Sequence, residues 1–108
     1  MQVLMRSFAM LMLVQAASAT PALAGEVVHV KISDLVFMPA EISARVGDTI
    51  EWVNGDIIDH TATAAGGEWD VMVLAGNPAQ LQLTQAGTFP YFCRFHPNMT
   101  AKIHVLDR

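Results

Sequence analysis

Gly87-Thr88-Phe89-Pro90-Tyr91-Phe92-Cys93-Arg94-Phe95-His96-Pro97-Asn98-Met99 carries an alternating stretch into a cysteine, an imidazole and a thioether. Phe89, Tyr91 and Cys93 fall on one face and Thr88, Pro90 and Phe92 on the other, the period of a strand. Pro90 has no N–H to give a ladder, so the strand should be free on one side there. Beyond it, His96 and Met99 follow Cys93 at +3 and +6, which reads as one tight loop between the last two strands. Thiolate and imidazole with a weak thioether make the donor set of an electron-transfer copper site. That set needs a second imidazole from a distant segment. His60 is the best candidate.

The rest of the chain repeats the same period in short pieces. Val28, Val30 and Ile32 alternate with Val27, His29 and Lys31; Ile42, Ala44 and Val46 do the same before a Gly47-Asp48 turn. Ile50 and Trp52 share a face in the segment from Thr49 to Asn54, which Asn54-Gly55 closes with a strong turn signal. His60 to Ala64 is a weaker strand, because alanine has little β preference. Leu81 and Leu83 alternate with glutamines, Trp69 to Leu74 is ambiguous between strand and loop, and Thr100 to Leu106 directs Ala101, Ile103 and Val105 inward. Seven or eight short strands at this spacing predict an all-β, Greek-key sandwich of two sheets.

Residues 1–24 have a different character. Arg6 supplies positive charge, Phe8 to Val14 is unbroken apolar sequence, and Ala22-Leu23-Ala24 gives a small-residue cleavage signal. These are the marks of a secretory signal peptide, and the apolar run is too short to span a bilayer. Residues 25–108 would then be one small domain, soluble and periplasmic, with no membrane insertion after cleavage. The chain holds 6 basic and 10 acidic residues, and the leader removes one base and no acid. A negative domain with no block of one sign argues against nucleic acid or an anionic membrane as partner. A single cysteine in an exported chain is an odd thiol. Metal ligation accounts for it better than inert packing does, because His96 and Met99 follow at ligand spacing.

Phe37-Met38-Pro39, Gly47 to Asn54, His60, Gly87 to Cys93 and His96-Pro97-Asn98-Met99 occur in the order found in the cupredoxins, the small blue copper proteins. The chain resembles that family over nearly all of residues 25–108. The two-residue gaps between Cys93 and His96, and between His96 and Met99, look most like amicyanin among the amicyanin, pseudoazurin and plastocyanin-like members. The resemblance implies one Cu(I)/Cu(II) ion with His60, Cys93 and His96 as equatorial ligands and Met99 as axial ligand. It further implies a monomeric one-electron carrier working between protein redox partners, of the c-type cytochrome or dehydrogenase kind. Several departures from the amicyanin pattern stand near the site, among them Arg94 in place of a small polar residue. Thr61 replaces an asparagine that ties the ligand loops together, and its hydroxyl offers a shorter version of that bond. Phe95 replaces a proline, which frees an N–H toward the Cys93 sulfur. Asp59 adds negative charge beside His60, which should favour Cu(II).

Rival readings are weaker. A copper chaperone or buffer would use the same soft donors, but more often presents an exposed, exchangeable site. An enzyme with a Cys93 nucleophile and a His96 base lacks an orienting third group. Zinc is a poor match for methionine and for a lone cysteine. His29 and His104 fall on polar strand faces. Met38, Phe95, Pro97 and Asn98 are expected around an exposed His96, and Trp69 in the core or at its rim, with the mouth of the site as the alternative place.

Overall fold

Apolar alternation delivers nine strands in the computed structural model, which describes residues 25–108; the expected leader, 1–24, lies outside the described residues. They are β1 (Val27–Ser33), β2 (Val36–Met38), β3 (Glu41–Arg45), β4 (Thr49–Asn54), β5 (His60–Ala64), β6 (Asp70–Val73), β7 (Pro78–Gln82), β8 (Gly87–Cys93) and β9 (His96–Leu106). Two sheets form, in the orders β2-β1-β4-β7 and β3-β9-β8-β5-β6. Each sheet contains one parallel pair, β1 with β4 and β3 with β9, and is otherwise antiparallel. The sandwich is the predicted architecture. The ambiguous segment after Trp69 is strand β6, and the ninth strand is the three-residue β2. Among the described residues no helix is long and apolar enough to cross a membrane.

The core lies where the alternating faces meet. Val30, Ile32, Ile50 and Trp52 from one sheet meet Ala62, Val73, Tyr91 and Ile103 from the other, each no more than 1% exposed. Burying each of the valines and isoleucines contributes about 1.5–3 kcal/mol. At the centre the Trp52 indole N–H donates to the Tyr91 hydroxyl at 3.2 Å. Phe37 meets the Tyr91 ring edge-on at a centroid distance of 4.8 Å. Burial pushes the Tyr91 phenol up to about 12, so it stays a neutral partner for the indole.

Trp69 belongs to this aromatic group, 5.8 Å from Trp52 and 5.5 Å from Tyr91. It packs partly buried against the core, the core-or-rim placement expected of it, and not at the mouth of the site. The β5–β6 hairpin pairs His60 with Val73 and Thr63 with Asp70, and the Trp69 carbonyl accepts the Ala64 N–H. Trp69 therefore sits at the end of β5 remote from His60. The proline in β8 behaves as its chemistry requires: β5 pairs with β8 only as far as Tyr91, and the Pro90 carbonyl takes one last bond from Ala65 N–H.

Gly47, with φ of 95°, makes the β3–β4 turn in a conformation that side chains resist. Asp48 beside it accepts the Glu26 and Arg45 N–H groups and pairs with Arg108, closing the end of the sandwich remote from His60.

Tyr91→Phe strips the Trp52 indole of its acceptor inside an apolar core. The variant should lose about 1–3 kcal/mol of stability. Urea unfolding of the metal-free protein should show a lower midpoint at an unchanged slope.

Candidate metal centre

Three of the four predicted ligands enter from the ends of adjacent strands. His60 opens β5, Cys93 closes β8 and His96 opens β9. Cys93 Sγ lies 3.6 Å from His60 Nδ1 and 3.8 Å from His96 Nδ1, and donor atoms of all three residues fall within 4.8 Å of one another. His60 and Cys93 are fully enclosed, while His96 is only partly buried.

The expected tight ligand loop is mostly strand. Only Arg94 and Phe95 separate β8 from β9, so His96 and Met99 belong to β9. The ladder runs regularly to Phe92 opposite Thr100, then breaks, and Cys93 pairs with His96. An unbroken register would set Met99 opposite Cys93. Pro97, Asn98 and Met99 are instead the extra length of a bulge, which bends a strand and re-aims its side chains. That break brings His96 to the sulfur while Met99 stays buried at 4% exposure. Met99 lines the same open cleft as Leu35, Phe95, His96, Pro97 and Asn98. Leu35 occupies the lining position expected of Met38.

Local bonds hold the donors. Asn54, 1% exposed, donates its side-chain N–H groups to the carbonyls of Ile58 and Val73 and accepts the Asp56 N–H. The β4–β5 loop is thereby fixed, and His60 with it. Thr61 N–H donates to Cys93 Sγ at 3.4 Å, and Thr61 Oγ1 accepts the Arg94 N–H at 2.8 Å. The shorter tie between ligand segments is present. Thr63 donates to Asp70, so the Thr61 hydroxyl is left to donate to Thr63, and the Arg94 guanidinium closes the ring on Asp70. A polar circuit on the sheet thus pins the β8–β9 turn to β5.

The carboxylate that reaches His60 is Asp56, not Asp59. Asp56 Oδ2 lies 2.8 Å from His60 Nε2, whereas Asp59 accepts the Ala75 N–H. Sequence gave no reason to prefer one acid over the other, since both lie in a turn-rich loop within four residues of the histidine. Asp70 and Thr63 were also missed; their circuit depends on β5–β6 pairing that no motif announces.

Cys93 is electrostatically unusual. Burial alone would push its thiol up, but the Thr61 amide, the two imidazoles and the Phe95 amide outweigh it and bring the group down to about 6. A thiolate is the form that binds metal. This sulfur and two imidazole nitrogens are a soft, low-coordinate set that suits copper, with too few thiolates for structural zinc.

In the metal-free protein, Cys93 should titrate with a midpoint near the value of about 6, read from thiolate ultraviolet absorbance. An acid held below its unfolded value stabilises the fold fully above that unfolded value, and the contribution is lost as pH falls through the folded one. Metal-free stability should therefore decline toward acid through this range. Cys93→Ser should flatten that limb.

Comparisons with known proteins agree with this geometry. Residues 4–105 match the family model described as cupredoxin-like domain. Amicyanin of Paracoccus denitrificans is 31% identical over 98 residues, covering 82% of this chain and 75% of that protein. Amicyanin-alpha of Methylorubrum extorquens is 28% identical over 118 residues, covering 94% and 99%. The crystal structure of amicyanin from Paracoccus versutus superposes with a TM-score of 0.65 at 30% identity, covering 74% of this chain and 81% of that one. A reduced Cu(I) form of an amicyanin variant at pH 4 gives 0.66 at 31% identity, covering 74% and 82%. On the match to the family model, the two-sheet sandwich and the converging donors, the chain belongs to the family of cupredoxin-like domains.

Proposed function

We propose that this chain is an exported, soluble one-electron carrier that holds a single copper ion through His60, Cys93 and His96, with Met99 as axial ligand. The observation that carries the reading is the meeting of one sulfur and two imidazole nitrogens within 4.8 Å, from three strand ends. Similarity to proteins named amicyanin, one of them solved in a Cu(I) form, supports copper as the ion. Bound copper would supply one reversible electron between Cu(I) and Cu(II). No covalent bond in a substrate is made or broken.

The chain's own residues divide the work. Cys93 and His60 sit at full burial in a sheet held by Asn54 and the Thr61 circuit, so the donors have little room to rearrange. His96 alone approaches the surface. Around it Phe95 is 49% and Leu35 45% exposed, beside Pro97. An apolar surface of this kind suits a short-lived encounter with a redox protein, such as a c-type cytochrome or a dehydrogenase. The chain would act as a monomer, in the periplasm after removal of residues 1–24.

Copper-loaded, oxidised protein should show an intense visible band from the Cys93 thiolate, and Cys93→Ser should abolish it. Loaded protein without that band would refute the site. Cyclic voltammetry and stopped-flow exchange with a c-type cytochrome then test carriage. Reversible electron exchange supports the carrier; transfer of the metal itself to a second protein would mark a chaperone.

Met99→Gln should retain copper and lower the reduction potential, because an oxygen donor supports Cu(II) better than a thioether does. An unchanged potential would show that Met99 is not the axial group.

A further inference from the structure

A hydroxyl has one hydrogen to donate, so a chain of hydroxyls takes its direction from the group that closes its end. Thr61 and Thr63 share the face of β5 opposite the buried Ala62, and their Oγ1 atoms lie 2.9 Å apart. Asp70, opposite Thr63 across the β5–β6 hairpin, accepts the Thr63 hydroxyl on Oδ1 at 2.7 Å. A carboxylate accepts hydrogen bonds and donates none, so the Thr63 hydrogen is committed to it. Thr63 Oγ1 can then only accept, which commits the Thr61 hydrogen to Thr63. Lone pairs remain on Thr61 Oγ1, and the Arg94 N–H donates into them at 2.8 Å.

This relay takes over where the sheet ladder stops. β5 and β8 pair only at Thr63 with Phe92 and Ala64 with Tyr91, so no ladder joins β5 to the chain beyond Phe92. Only Arg94 and Phe95 separate the strand of Cys93 from that of His96, and the Phe95 amide faces the sulfur. Fixing the Arg94 amide therefore fixes the turn that carries both donors. Asp70 also meets the Arg94 guanidinium directly, Nε to Oδ1 at 3.2 Å, with the two side chains 50% and 43% exposed. Ion pairs this open to water hold little. The hydroxyl route ends instead on Thr61, which is 0% exposed.

We propose that Asp70 is a positioning residue of the centre: as terminal acceptor it orders the Thr63 and Thr61 hydroxyls so that Thr61 receives the Arg94 amide and holds the turn between Cys93 and His96. Its bearing on a metal rests on the copper reading above; the relay itself does not.

Amide hydrogen exchange in the metal-free protein tests the relay. The wild-type Arg94 N–H should be protected although the residue is exposed. Asp70→Leu, whose apolar side chain keeps water from the carboxylate's place, and Thr63→Val should each lower that protection about tenfold. The double variant should lose no more, because both changes cut one line. Asp70→Asn keeps an acceptor without the charge, and Arg94→Ala removes only the ion pair; both should retain the protection. In the copper-loaded protein, the reduction potential of Asp70→Leu should lie below that of Asp70→Asn, which has lost the same charge, because a loosened turn gives up amide contact with the sulfur. An unprotected wild-type Arg94 N–H overturns the proposal with no variant needed. An Arg94→Ala loss equal to that of Asp70→Leu, with Thr63→Val silent, also overturns it, since Asp70 would then be only the partner of a surface cation. Equal potentials in the two Asp70 variants overturn the role at the centre. A chain that takes up no copper fails at the ligand assignment, and the exchange result still decides the relay.

Discussion

A metal-binding sulfur must be deprotonated, and a buried sulfur resists it. The structure resolves that conflict at Cys93 by surrounding the atom with donors before any ion arrives. Thr61 N–H points at it from β5, the Phe95 amide from the turn, and two imidazoles from either side. Their combined effect exceeds the penalty of burial. The remaining features of the site follow from keeping these groups in place, because each is effective only within hydrogen-bond reach.

A two-sheet sandwich suits that requirement. His60, Cys93 and His96 all lie on strands of the five-stranded sheet, at neighbouring ends, so the sheet's own ladder sets their separation. Hydrogen-bonded strands cannot slide without exchanging their faces. The deviations sit only where the chemistry needs them. The register break after Phe92 turns His96 toward the sulfur, and the Asn54-locked loop lowers His60 into the interior. A metal seated there would add stability to the folded chain, since the unfolded chain assembles no such site.

The sheet faces and the donor residues were legible in the sequence because both are written locally. Alternation marks which side of a strand is buried, and Cys93 and His96 declare themselves by type and spacing. His60 required the resemblance as well as its position. What the sequence hid was pairing. The span from Arg94 to Met99 looks like a loop because Pro97 and Asn98 have low strand preference, yet most of it is the start of β9. Asp56 and Asp59 are equivalent on paper. Only the fold of the Asn54-to-His60 loop sends one to the imidazole and the other to the Ala75 amide. For the same reason sequence left Trp69 between the core and the mouth of the site, a choice that the β5–β6 register makes.

The two histidines carry opposite obligations, and their surroundings reflect this. His60 is enclosed and held from behind by a charged carboxylate, so its nitrogen has one available orientation. His96 has no counterpart contact among the described residues beyond the sulfur and the edge of the His60 ring, with ring centroids 5.3 Å apart. It stands among Phe95, Pro97 and Leu35, apolar groups with the Arg94 guanidinium at their margin, 5.5 Å from the centre of the Phe95 ring. Rigidity on the inner side keeps the donor set constant between oxidation states. A mostly apolar outer side gives a partner a surface that it can approach and leave quickly. A centre with both histidines buried would have no short route to a partner, and one with both exposed would surrender control of its geometry to solvent. The split between β5 and β9 therefore supplies geometric control on one side of the sulfur and access on the other.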